Sequence, residues 1–567
     1  MNQTRMLLIL AWLMVATMLW MAWGKEQSPP AAPTAAVVAP GQVAAVPGVD
    51  ATGNPGVPGM SPLPASTSAS PATTARPAVV TVQTDVLEVA LDGGEVRQAD
   101  LLAYPGTADA DSAPVRLFAQ DPANYFVAQA GWVSSGGQAP GHDAGFVLDR
   151  AALPAGADFD LDPGEQAVVV PFVWTGPDGV SIHRTYTFTR GDYAVQVRDE
   201  VVNHSNAPWQ GFIYRQLVRV PRALESSGPL SVEQYSFQGA AWFGAGEYDK
   251  RQYEDFVEDG PLNQQVTGGW IAMLQHHFFG AWIPQPDQPA LYTLKMVDGR
   301  YAIESRGPSF NVAPGTTAST TARLWVGPKL VNNIQSQQVP GLDRAVDFSS
   351  FSPMATLAGW LFWVLEKLHG LLGNWGWAII GLVLVIKLLM FPLSAAQYKS
   401  AAKMRRFQPR IEQLKERYGD DKQKLQMAMM ELYKKEKINP VGGCLPLLVQ
   451  MPVFLALYWT LLESVELRQA PWVGWIHNLT APDPYFILPA INIAVMWATQ
   501  KLTPTPIADP MQRKMMQYMP VAMGVMFAFF PAGLVLYWVT NGSLGLLQQW
   551  YMLRKYGDAP AKGAKPA

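Results

Sequence analysis

At 567 residues the chain has material for two or more domains, and its net charge of −3 hides a neutral half, a mildly acidic half and a basic insert. A single cysteine, Cys444, excludes an intramolecular disulfide framework, so any exported domain must fold by its core alone. No Cys/His spacing suits zinc, and no nucleophile–base pair, P-loop or dinucleotide fingerprint is present, which argues against covalent catalysis, a metal or a cofactor.

Residues 1–24 contain 18 apolar or weakly polar residues, Met6 to Trp23, after Arg5. A secretory signal competes here, but the run exceeds a signal core and ends in bulky Trp, so an uncleaved transmembrane anchor is expected. Residues 25–78, rich in Pro and Ala, read as a tether that cannot bury a core.

From 79 to 342 the pattern becomes short alternating runs. In Ser181–Thr189, Ile182, Tyr186 and Phe188 fall on one face, with turns at Pro177-Asp178-Gly179 and Gly191-Asp192. This predicts one large β-rich domain of two packed sheets. The adjacent His276 and His277 would point to opposite faces of a strand, which argues against a shared metal.

Residues 343–374, with Ser352 as cap and Pro353 at the first helical position, predict an amphipathic helix lying in the membrane interface. An additional span is the competing reading. Residues 375–394 then predict a transmembrane span whose only charge is Lys387. Such a residue costs at least ~2.5–3.5 kcal/mol to insert, so it marks a functional site unless its stem snorkels to the interface.

Residues 395–438 predict a cytoplasmic helical hairpin broken at Gly419-Asp420-Asp421, with Lys399, Lys403, Arg405, Arg406 and Arg410 among its basic residues. Its charge reads as positive-inside bias and solvation, or as a surface for anionic lipid or ribosomal RNA. Residues 439–553 predict four more spans, because Met515–Leu553 is 39 residues long and Pro531-Ala532-Gly533 divides it. That makes six, followed by a basic tail at 554–567. Lys and Arg placement puts both termini in the cytoplasm and the β-domain outside.

Counted inward from the cytoplasmic ends, Lys387, Gln450 and Gln548 each sit about 9 Å deep, and Asn492 and Asn541 lie deeper. Polar groups at one depth on different helices suggest a wet cavity open to the cytoplasm; ordinary inter-helix hydrogen bonding is the plainer alternative. Met515, Met519, Met523 and Met526 form one helical stripe, either simple packing or an adaptable apolar slide for clients.

Asn439–Trp459 (NPVGGCLPLLVQMPVFLALYW), Val465–Ala470 (VELRQA) and Phe530–Asn541 (FPAGLVLYWVTN) closely resemble the YidC/Oxa/Alb family of membrane-protein insertases, and Asp85–Pro105 resembles the start of its Gram-negative periplasmic domain. The resemblance implies a mixed fold: a polytopic α-helical membrane protein with a five-helix core around a hydrophilic groove, and a periplasmic all-β supersandwich. It implies an insertase and chaperone of the Gram-negative inner membrane, not an enzyme. Its implied partners are nascent membrane-protein clients, the ribosome, the Sec translocon and the lipid bilayer, with no small-molecule substrate. Lys387 falls where the family has its groove charge, commonly arginine. Gln450, Met451, Pro452 and Tyr537 match positions that line the groove or meet clients, and Trp538 stands where an aromatic, often tyrosine, is usual. The rival readings are a secondary transporter, which predicts internal repeats, and a membrane-anchored sugar-binding or mutarotase-like protein, which predicts an acid/base pair in the β-domain.

Overall fold

The computed structural model describes residues 79–557 apart from 108, 110, 136–137, 155, 223–235, 347, 349–351, 396–407, 419–420, 436–444 and 503–509. The expected N-terminal anchor, the 25–78 tether, Cys444, Lys399, Lys403, Arg405, Arg406 and the end of the tail lie outside the described residues. The chain divides into a β unit ending at Val346 and a helical unit from residue 347 on.

The β unit is two packed antiparallel sheets of nine strands each. The first runs β1 (Val80–Gln83), β2 (Leu87–Asp92), β3 (Glu95–Pro105), β5 (Phe126–Ser134), β10 (Trp209–Arg219), β17 (Arg300–Val312), β16 (Pro289–Val297) and β13 (Asn263–Thr267), with β4 (Pro114–Phe118) paired to β3. The second runs β12 (Glu247–Gln252), β11 (Gly239–Gly244), β14 (Trp270–Leu274), β15 (Phe278–Pro284), β18 (Thr317–Pro328), β9 (Ala194–Asn203), β8 (Val180–Thr189), β7 (Ala167–Thr175) and β6 (Val147–Leu148). Large aromatics fill the space between them, Trp132 from the first sheet and Trp282 from the second among them.

Strand β8 alternates as its pattern requires, with Ile182, Tyr186 and Phe188 buried. The same alternation turns Arg184 inward, at 0% exposure. Its guanidinium forks onto Asp199 of β9, Nε to Oδ1 at 2.8 Å and Nη2 to Oδ2 at 2.9 Å, and also pairs with Glu95 of β3. Trp132 Nε1 completes Asp199 at 2.9 Å, and the Ala130 amide donates to Glu95 at 2.9 Å. A buried ion cluster survives only when its members are paired and hydrogen-bonded in this way.

One expectation fails in this unit. His276 and His277 are not on a strand: Gln275 N donates to Phe278 O at 2.9 Å, closing the tight turn between β14 and β15, and the two rings stack at 3.7 Å. A turn has no pleat to send neighbouring side chains to opposite faces.

The helical unit holds α1 (Ser352–Leu372), α2 (Trp375–Leu389), α3 (Gln408–Tyr418), α4 (Lys422–Lys435), α5 (Leu445–Glu463), α6 (Ile487–Leu502), α7 (Pro510–Phe527) and α8 (Ala532–Gly557). Helix α1 packs on α2 and α5, and α8 packs on α2, α5 and α6. Ala358, Leu361, Leu365, Ile379, Leu382, Val383, Ala456, Leu457 and Val535 lie in their shared core. The hairpin helices α3 and α4 pack on each other, with Ile411 buried.

Two features set the ends of these helices. Asn374 accepts from Gly376 N at 3.0 Å and Trp377 N at 3.2 Å, capping α2, while its Nδ2 donates to Pro471 O and Trp472 O, both at 3.1 Å. Gly376 permits this approach, because a Cβ there would stand 2.1 Å from the Trp472 ring. At the start of α8, Ala532 N donates to Ala481 O at 2.7 Å and Gly533 N to Leu479 O at 2.8 Å, so two amides of the first turn are satisfied by loop carbonyls.

Among the described residues no helix is long and apolar enough to cross a membrane. Helix α2 covers 15 residues of the 375–394 segment and stops at Leu389. Pro392 has no amide to donate to Leu388 O, which instead accepts from Met390 N, and residues 391–395 resume as a separate helical turn.

Candidate functional site

The polar side chains of the helical unit stand out because the core around them is apolar. Gln450 lies on α5, two residues before Pro452, which sits inside the helix. Its Nε2 donates to Asn541 Oδ1 on α8 at 3.5 Å, and its side chain also hydrogen-bonds Tyr537, one turn earlier on α8. Tyr537 is buried, and Asn541 is half-buried. The spacing of Tyr537 and Asn541 at i and i+4 puts both on one face of α8, which is why a single glutamine reaches both.

Aromatic rings close over this trio. Phe454, one turn after Gln450, stacks with Tyr537 at 6.3 Å and meets Trp538 at 4.8 Å, and Trp538 meets Phe527 of α7 at 5.2 Å. The Trp538 Nε1 is shielded from solvent with no protein partner, as is Gln548 Oε1 further along α8. Three polar atoms thus meet through hydrogen bonds, and two more are buried without a hydrogen-bond partner.

Lys387 stands half-buried in the last turn of α2, and among the described residues it makes no hydrogen bond or ion pair. Asn492 is buried on α6, where its amide meets Met496 Sδ at 3.9 Å rather than the Gln450 trio. Met451 is 45% exposed and Pro452 is also exposed, so both face outward from the α5 turn that carries Gln450. Met515, Met519 and Met526 are exposed along α7, whereas Met523 packs against the core. Arg410, the one described member of the five hairpin cations, is exposed at the start of α3.

Several buried polar groups escaped the reading of the sequence. Glu463 and Ser464 are buried at the far end of α5, and Thr460 Oγ1 donates to Ala456 O at 2.8 Å and to Ala358 O of α1 at 3.2 Å. Asp483 is buried too: its Oδ1 accepts from Trp475 Nε1 and Tyr485 N, both at 3.0 Å, and its Oδ2 accepts from Leu488 N at 2.7 Å. The dipeptide Asp483-Pro484 before an apolar run is a helix-start signal that could have found this cap. Among the described residues, no group of three or more His, Cys, Asp or Glu side chains could hold a metal ion.

Comparison with known proteins bears on both units. The family model for the 60Kd inner membrane protein matches residues 367–559, and that for the YidC periplasmic domain matches residues 79–364. A membrane protein insertase YidC of Xanthomonas euvesicatoria pv. vesicatoria is 58% identical over 574 residues, covering 99% of each chain. A membrane protein insertase YidC of Stenotrophomonas maltophilia is 58% identical over 567 residues, covering 99% of this chain and 98% of the relative. The crystal structure of an active YidC insertase with its first transmembrane domain resolved is 20% identical, covering 84% of this chain and 95% of that one at a TM-score of 0.37. Matched in both units and along nearly its whole length, the chain belongs to the YidC family of inner-membrane protein insertases and carries that family's periplasmic domain.

Proposed function

We propose that this chain inserts and helps fold inner-membrane proteins through a cytoplasm-open groove between α2, α5, α6 and α8. The observation that carries the reading is the hydrogen-bonded trio of Gln450, Tyr537 and Asn541 inside an otherwise apolar helical unit, together with a lysine on α2 that has no partner among the described residues. A polar end of a client enters, and its negative or dipolar groups are drawn by Lys387. Trp538, Asn492 and Gln548 extend the polar lining. The client's apolar segment leaves along Met451, Pro452 and the methionines Met515, Met519, Met523 and Met526, whose thioethers adapt to varied partners.

Transfer of the apolar span into lipid supplies the free energy, so no nucleotide or metal is required. In this reading six helices span the membrane, both termini are cytoplasmic, and the basic hairpin around Arg410 meets the ribosome or anionic lipid. Insertion proceeds alone or beside the Sec translocon. Lysine keeps the charge of the guanidinium usual in the family but not its bidentate fork, so attraction rather than planar recognition is the mechanism.

The test is client insertion in cells depleted of their own insertase and supplied with Lys387→Ala, Lys387→Arg or Lys387→Glu at matched protein levels. Arg should sustain insertion, while Ala and Glu should block it. Normal insertion by all three variants, for clients with and without acidic tails, would remove Lys387 from the mechanism.

A further inference from the structure

Strand β10 turns a second arginine into the core of the β unit. Arg215 shares the inward face of that strand with Ile213 and Leu217, and its guanidinium lies 6.0 Å from the Trp282 ring of the second sheet. The register sets Arg215 between Ala130 of β5 and Ser305 of β17, and cross-strand partners share a face. Ser305 is therefore inward as well. Both flanking side chains are short, which leaves room beside the guanidinium. Arg215 and Ser305 keep 3% and 5% exposure, where Leu217 and Ile303 on the same faces keep 0%, so a water-sized particle still reaches the pair.

Among the described residues the Arg215 side chain makes no hydrogen bond or ion pair, and its Nε is wholly shielded. The two acids of this core are engaged elsewhere. Asp199 accepts from Arg184 Nε at 2.8 Å, from Arg184 Nη2 at 2.9 Å and from Trp132 Nε1 at 2.9 Å. Glu95 pairs with Arg184 Nη1 and accepts from the Ala130 amide. The Tyr186 hydroxyl donates to Gly94 O. Trp282 offers no acceptor, and its ring stands at the outer limit of cation–π attraction. The Ser305 hydroxyl also has no hydrogen-bond partner among the described residues. Burial lowers the Arg215 pKa to about 10, which leaves the guanidinium charged at neutral pH.

A buried guanidinium needs acceptors for its N–H groups and a counter-charge as well. Water supplies the acceptors but leaves the charge unmatched. A cation is repelled. A large organic anion does not fit between sheets packed about 10 Å apart. A small anion meets both needs, and the Ser305 hydroxyl adds a donor on the same side. We propose that Arg215 and Ser305 hold a small monovalent anion of chloride size inside the core of the β unit. The site is separate from the insertase groove and rests on no part of that reading.

The test uses the full chain in phospholipid nanodiscs. Urea unfolding of the β unit is followed in sodium chloride and in sodium gluconate at matched ionic strength. A ligand bound only by the folded state stabilises it by mass action, so above saturation each tenfold rise in chloride should lower the unfolding equilibrium constant about tenfold. Gluconate, too large for the site, should have no such effect. Arg215→Met removes a buried charge at similar volume and should abolish the response. Ser305→Ala loses one donor and should need several-fold more chloride for the same midpoint. Crystals of the full chain grown in bromide should show an anomalous peak within hydrogen-bonding distance of the Arg215 guanidinium, a result that does not depend on any variant folding. The proposal falls if chloride and gluconate act alike on the parent, or if a folded Arg215→Met keeps the chloride response. It falls equally if no bromide peak stands there, because water alone would then solvate the guanidinium.

Discussion

Gln450 and Asn541 meet across 3.5 Å between α5 and α8, and the same glutamine also holds Tyr537. Hydrogen bonds between helices in membrane proteins average only about 0.6 kcal/mol, so this trio contributes little to stability. Gln450→Leu and Asn541→Leu are therefore expected to shift thermal unfolding in micelles by under about 1 kcal/mol, while lowering client insertion several-fold. Equal loss of stability and insertion would mark the trio as structural glue.

The Arg184–Asp199 fork carries the opposite expectation. Removing one member of a buried pair strands the other, at a cost of about 3–5 kcal/mol. Arg184→Met leaves both Asp199 and Glu95 without their guanidinium. Urea unfolding of the full chain, followed by tryptophan fluorescence, should show that loss in the β unit. A change below about 1 kcal/mol would mean that water takes over the arginine's role.

Glu95 gives the same cluster a pH dependence. Arg184 turns two of its three nitrogens to Asp199 and the third to Glu95, but burial outweighs that attraction at Glu95 and raises its carboxyl from 4.5 to about 7. The folded state therefore holds a proton that the unfolded chain releases. The stabilisation is complete below the unfolded value and is lost as pH rises through about 7. The urea midpoint of the β unit should fall between about pH 4.5 and about pH 7 and level off above, and Glu95→Gln should flatten that slope. A midpoint that rises over this interval in the parent would contradict the assignment.

Asn374 serves as cap and tether at once, and two substitutions separate the roles. Asn374→Ala loses the α2 cap and both bonds to Pro471 O and Trp472 O, at about 1–2 kcal/mol or more. Asn374→Asp keeps an acceptor for the cap but loses both donors. Limited proteolysis of the 468–483 loop should speed up in both variants. Protection equal to the parent in Asn374→Asp would show that the tether carries no weight.

What the sequence disclosed depended on how local the signal was. The breaks at Gly419-Asp420-Asp421 and Pro531-Ala532-Gly533 rest on residues that stop helices, and the structure has α3 and α4, and α7 and α8, on either side of them. The β8 alternation was readable for its apolar members. Arg184, at an inward position of the same period, was not, because Glu95 comes from a strand far away in the chain and Asp199 faces it only once the β8–β9 register is known. Polar residues in apolar runs were visible one by one. That Gln450 reaches Tyr537 and Asn541 while Asn492 turns to Met496 depends on helix rotation, which weakly amphipathic segments do not specify.

The start of α8 is fastened by main-chain atoms alone, Ala532 N to Ala481 O and Gly533 N to Leu479 O. Only proline removes the amide such a bond needs, and only at Gly533 would an added Cβ crowd the acceptor, at 3.1 Å from Leu479 O, so this end is a pivot that most substitutions around it leave in place. The helix beyond it is a lever 26 residues long, about 39 Å. A swing of roughly 5° about the pivot carries its far end about 3 Å, the width of a water molecule, and moves Asn541 by only about a third of that. Widening is thus graded along α8: least near the pivot, intermediate at Asn541, and greatest at the end that bears Gln548 and Arg554.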